Sequence, residues 1–371
     1  MRTYQRLTAV AATLLLLAPG ARAGEVVRIA VATGLKRTAV FGSGLTMLAL
    51  QEGATPVSLP NGRAAVALAG DGVTVNGARL AVPAATFRAT GPLRTGAVDI
   101  SLWQGELEVR RAANGLTVIH SLPLEDYVAA VVGSEMPPSF PPAALKAQAV
   151  AARTYAIFKK LESVAVGRPW HLGATALDQV YRGARVDPRA RGAAEATVGE
   201  VLAYRHAPIE AYFHSACGGR TERGADALGR DLPYLASVEC GFCKRSPQHR
   251  WSVRIPDAEL GKLVGLANRV RHARVIARTA SGRAERVEFE GGGRQATLAA
   301  VDLRQRLGFE RLPSLAFDVH STRGAVEFEG RGSGHGAGLC QWGAAGAARA
   351  GEGYRAILAR YYPGTEIIKM Y

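Results

Sequence analysis

The chain has 371 residues, with 46 Lys and Arg against 31 Asp and Glu, for a formal charge of +15 at pH 7. That length fits two or three modules around one or two cores, and the charge favours anionic partners, which outside a cytoplasm include cell wall, teichoic acid and lipopolysaccharide. A genome rich in Ala, Gly and Arg codons gives the same balance, and no basic, aromatic-studded strand or helix points to nucleic acid.

Arg2 and Arg6 precede the apolar run LTAVAATLLLLAPG, which closes on Ala21-Arg22-Ala23. This is a basic n-region, a short h-region and an A-x-A cleavage site. Residues 1–23 therefore read as a signal peptide, and the mature chain as exported, periplasmic or cell-wall associated. No later apolar run suits a membrane span.

Residues 24–120 read as a β-rich part. Val27, Ile29 and Val31 alternate, and hairpin turns are expected at Asn76-Gly77 and Asn114-Gly115. Residues 121–250 form the expected core, beginning with a helix in which Leu124, Tyr127, Val128, Val131 and Val132 follow helical spacing. Pro123 suits its first position, Glu125 and Asp126 suit its first turn, and Gly133 is expected to end it. Pro141-Pro142 opens a second helix with Leu145, Ala149, Ala152 and Ala156 on one face. Residues 251–313 read as an inserted α+β piece, and 314–371 as a hairpin and a Gly-rich segment completing the core. Strands, then helices, then mixed elements do not alternate as βαβ, so the fold class is α+β.

Between Tyr127 and Leu161 the chain carries one acidic residue, Glu135, set among Met136, Pro137, Pro138 and Phe140. A helix C-terminus and apolar neighbours both disfavour the ionised form, the setting of a general acid, while an ordinary exposed glutamate in a Pro-rich loop is the other reading of the same residues.

The stretch LPLEDYVAAVVGSEMPPSFPPAALKAQAVAARTYA resembles the signature of the SpoIID/LytB family, the sporulation stage II protein D and amidase-enhancer group. GRGSGHGAGLCQWGAAGAARAGEGYRAILARYYPGTEI is similar to that family's C-terminal block, and LDQVYRG and YFHSACGGRTE match in order between them. The resemblance implies a lytic transglycosylase acting on denuded peptidoglycan, with Glu135 as its acid. One carboxylate suffices for such an enzyme, because the sugar's own C6 hydroxyl attacks C1, whereas a hydrolase needs a second one. The alternative is a non-catalytic wall-binding enhancer of an amidase.

His335 lies between glycines in GSGHGAGLCQWG, followed by Gln341 and Trp342, and these three are expected glycan contacts, with a purely structural turn and Trp342 in the core as the alternative. The loop fits neither phosphate-binding fingerprint. Arg153 either contacts a lactyl carboxylate, orients Glu135 or sits on a solvated helix face. Gln179 and Tyr181 are substrate-binding candidates by the resemblance, with packing as the alternative. His214, Cys217, Cys240 and Cys243 have zinc-ribbon-like spacing, with His249 in reserve as a ligand; export argues instead for a disulfide. Cys340 reads as a small buried residue.

Overall fold

The computed structural model describes residues 25–102, 105–175, 178–183 and 186–371. The expected leader, Gly24 and Leu177 lie outside them. The described residues form an α+β fold. No described helix is long and apolar enough to cross a membrane.

The chain divides into two compact units. The first comprises the residues through Pro138, then Ala152–Glu210 and Lys369–Tyr371. The second comprises Ser139–Ala151 and Ala211–Ile368.

In the first unit the strand Val26–Leu35 pairs antiparallel with Gly115–Pro123 and parallel with Leu172–Gly173. Gly115–Pro123 is paired on both edges, by Val26–Leu35 and Glu106–Ala112, and its consecutive residues Leu116–Leu122 are buried on both faces, which suits its run of Leu, Val and Ile. Asn76 and Gly77 both adopt positive φ, 49° and 85°, between the paired Val75 and Ala78, as a type I′ turn requires. At the other hairpin Ala112 pairs with Gly115, so the two turn residues are Ala113 and Asn114. Gly115 opens the next strand at φ 135°, where a Cβ would meet Leu35 O at 2.8 Å.

That strand runs directly into helix α1, Leu124–Glu135, with Pro123 as its N-cap rather than its first residue. All five residues of the expected apolar stripe are buried. Gly133 does not end this helix, which continues two residues further. Gly133 keeps helical φ, and a Cβ there would sit 3.6 Å from Ala190 of helix α3, Pro188–Glu195. A C-cap glycine signal is thus overridden by tertiary packing against a neighbouring helix. Helix α2, Pro142–Ala165, passes from one unit to the other between Ala151 and Ala152.

In the second unit, Trp251–Pro256 and Phe317–Thr322 flank Ala325–Gly330 in an antiparallel sheet. A second sheet joins His272–Arg278, Ala284–Gly291 and Arg294–Ala299. Their shared core draws on residues from Ile255 to Phe328, including Phe289 and Leu303.

Candidate functional site

Glu135 is the last residue of α1 and is half-buried, followed by the buried Met136. Its Oε1 accepts the Val180 amide at 2.7 Å. An amide only donates, so Oε1 remains an acceptor and a proton on this carboxyl belongs on Oε2.

The segment carrying Val180 is fixed at every neighbouring residue. Asp178 accepts the Tyr155 hydroxyl and the Gly173 amide, at 3.2 and 2.7 Å. Gln179 accepts the Tyr127 hydroxyl at 2.9 Å and donates to Ala152 O at 3.3 Å. Tyr181 hydrogen-bonds His120 Nδ1 at 2.9 Å. Gln179 is fully buried and Tyr181 nearly so, which places them inside the unit rather than on a glycan-facing surface. Their side chains aim the Val180 amide, a backbone donor to which no residue type gives a sequence signal.

Arg153 corrects the solvated-face reading. It is fully buried, and so are Val150 and Ile157 on the same stripe. Its Nε and Nη2 grip both oxygens of Glu125, at 2.8 and 2.6 Å, and its remaining donors reach Ala194 O and Glu200 O. Gly199 N and the Tyr371 hydroxyl complete the Glu125 shell. Burial raises the Glu125 carboxyl, but Arg153, Tyr371 and Gly199 outweigh it and hold it below its ordinary range. The pair therefore stabilises the fold above the unfolded carboxylate's range, roughly pH 4, and this is lost as pH falls through the lower folded value. Glu125→Ala strands a buried guanidinium and is expected to cost about 3–5 kcal/mol by denaturant unfolding, with the gap to wild type narrowing in acid. A cost below about 1 kcal/mol would show that the pair is not what holds α1 and α2.

His335, Gln341 and Trp342 belong to the second unit. His335 accepts the Ala337 amide on Nδ1 at 3.2 Å and donates from Nε2 to Phe213 O at 2.9 Å. Both ring nitrogens are committed to backbone, which fixes the neutral tautomer. Burial is the main cause pushing its imidazole down to about 4. A group depressed in this way stabilises the fold above its unfolded value, about 6.5, and that stability is lost as pH falls from there towards 4. His335→Ala is expected to cost about 1–3 kcal/mol and to flatten the stability profile across that window. An unchanged profile would show that the ring is not held neutral. Gln341 is buried with Nε2 3.5 Å from Gln148 Oε1, and Trp342 packs edge-on to Phe140 at 4.9 Å.

The cysteine site differs from the expected one in its fourth member. Cys217, Cys240, Cys243 and Cys340 are free, buried, and have their sulfurs all within 4.8 Å of one another. His214 is outside the cluster. Its Nδ1 donates to Ala337 O at 3.0 Å, and its buried Nε2 has no partner. Parallel pairing of Phe213–His214 with Leu339–Cys340 is what brings Cys340 beside Cys217.

The donor set fits a tetrahedral metal ion. Zn–S bonds of about 2.3 Å imply sulfurs about 3.8 Å apart, and Cys217 and Cys243 are 3.7 Å apart. A disulfide would need about 2.05 Å. Cys340 caps the helix Gln341–Arg349 and accepts the amides of Gly343 and Cys217, while Cys240 meets the Tyr361 hydroxyl. These contacts suit thiolates. A Cβ on Gly343 would come 2.6 Å from Cys240 Sγ, so a residue without a side chain is required there.

A stage II sporulation protein family model matches residues 112–204, which include Glu135 and the Asp178–Tyr181 segment. A domain of unknown function matches residues 235–338. The chain is 34% identical over 260 residues to an uncharacterized protein of Brachyspira hyodysenteriae, covering 68% of each. It is 31% identical over 304 residues to stage II sporulation protein D of Bacillus subtilis, covering 76% of this chain and 84% of that one. It is 28% identical over 289 residues to the amidase enhancer of Bacillus subtilis, covering 64% of this chain and 39% of that protein. The 31% identity over about three quarters of this chain, spanning both units, places the chain in the stage II sporulation protein D (SpoIID/LytB) family.

Proposed function

We propose that the protein is an exported lytic transglycosylase that cleaves denuded peptidoglycan strands, with Glu135 as its general acid and base. The observation that carries this reading is the setting of Glu135: half-buried at the end of α1, with Oε1 anchored by the Val180 amide. A proton on Oε2 passes to the glycosidic oxygen as the C1–O bond breaks. The C6 hydroxyl of the same muramic residue then bonds to C1, and Glu135 takes that hydroxyl's proton. The acid is regenerated, no water is consumed, and the product ends in a 1,6-anhydro ring.

The family membership and the sporulation relatives support a role in envelope remodelling. The amidase-enhancer relative supports a second reading, in which the chain binds the wall and stimulates an amidase without cleaving glycan. Amidase-treated glycan strands incubated with the protein and examined by mass spectrometry separate the two. Anhydro-muramic ends support the transglycosylase. Reducing ends would make it a hydrolase, and intact strands that remain bound would favour the enhancer.

The four cysteines are proposed to hold one structural zinc ion. None of the steps above passes through it; it would tie Cys340 and the helix Gln341–Arg349 to the loops bearing Cys217, Cys240 and Cys243.

A further inference from the structure

A cavity of about 660 Å³ opens in the second unit, lined, apart from Gly218, by residues of the stretch matched by the domain of unknown function. It is built around a missing side chain. Gly330 is in register with Trp251 on one side and Phe317 on the other, and a Cβ there would come 2.1 Å from the indole. Glycine therefore lets the Trp251 ring lie against the strand, and its Nε1–H donates to Gly332 O at 2.8 Å, which prevents the ring from turning. The result is a half-buried aromatic face of fixed orientation lining the cavity.

Three guanidinium groups line the same space. Arg278 is fixed by Gly282 O and Phe317 O at 3.0 and 3.1 Å, and it neutralises Asp318. Arg250 and Arg331 are exposed, and neither has an ion-pair partner among the described residues. Glu329 is the remaining acid, so the lining keeps a surplus of positive charge. A rigid aromatic face beside planar donors suits a sugar ring, and surplus guanidinium selects a sugar that carries an anion.

We propose that this cavity is a second saccharide subsite, which takes a carboxylate-bearing muramic residue with its ring on Trp251 and its lactyl carboxylate on Arg250 and Arg331. The proposal rests on the reading of the substrate as peptidoglycan glycan, but not on the chemistry of Glu135. The test is calorimetric binding by the full chain carrying Glu135→Gln, so that the probe is not consumed. The probes are denuded glycan oligosaccharides, chitooligosaccharides of equal length that lack the lactyl group, and poly(glycerol phosphate).

Denuded glycan should bind more tightly than chitooligosaccharide, and the Arg250→Ala/Arg331→Ala pair should reduce its affinity roughly tenfold or more, to the chitooligosaccharide level. Trp251→Phe, which keeps a ring against Gly330, should weaken both sugars. Unchanged glycan affinity in the double arginine variant, or equal affinity for the two sugars, would overturn the subsite. Arginine-dependent binding of the phosphodiester polymer without binding of glycan would overturn it too. If the otherwise unaltered chain forms no anhydro ends while arginine-dependent glycan binding persists, the catalytic reading fails and the subsite stands.

Discussion

Glu135→Gln should lower the rate of anhydro-end formation by on the order of 10²–10⁴, the usual contribution of a positioned acid and base. The substitution isolates the proton. The glutamine oxygen can still accept the Val180 amide, so the end of α1 and the Asp178–Tyr181 segment keep their contacts. Its amide nitrogen then stands where Oε2 stood, of the same size but unable to give up a proton to a leaving oxygen or accept one back. Unfolding midpoint and glycan affinity should therefore match wild type while cleavage is lost. Glu135→Asp keeps the acid but withdraws it by one methylene from the Val180 amide, and misplacement of that order is expected to cost about 10² in rate with stability little changed. Cleavage by the glutamine variant at the wild-type rate would remove Glu135 from the chemistry altogether.

The parts of this structure that were legible in the sequence are those governed by neighbours in the chain. The apolar stripe of α1, the alternating strand Val26–Leu35 and the Asn76-Gly77 turn each follow from local periodicity or from the φ a residue tolerates. The departures come from contacts between distant segments. The sequence leaves Arg153 open between a ligand contact, a support for Glu135 and a solvated face, and does not point to its actual partner, Glu125 on the preceding helix. Gly133 stays helical because Ala190 of α3 lies against it. The Val180 amide is invisible because a backbone donor has no letter of its own. Glu135 stood out by isolation and by resemblance, but what holds it did not.

The cysteine cluster shows the same division and gives the sharpest remaining test. The three close cysteines are readable by spacing, whereas the fourth is chosen by strand pairing, which puts Cys340 rather than His214 beside the other three sulfurs. Natively purified protein should carry about one zinc per chain. Cys340→Ser removes a thiolate ligand at nearly constant volume and should abolish that zinc, while His214→Ala should retain it, because the imidazole is turned to Ala337 O instead. Structural zinc contributes on the order of 10 kcal/mol of apparent binding free energy in small Cys/His sites. Chelation should therefore lower the unfolding temperature of wild type sharply, leave Cys340→Ser unmoved, and not alter which glycan ends are formed. Zinc retained by Cys340→Ser and lost from His214→Ala would restore the spacing-based ligand set. Cys240 and Cys243 joined as a disulfide in native material would leave no metal site at all, since a sulfur already bonded to sulfur has no thiolate to offer.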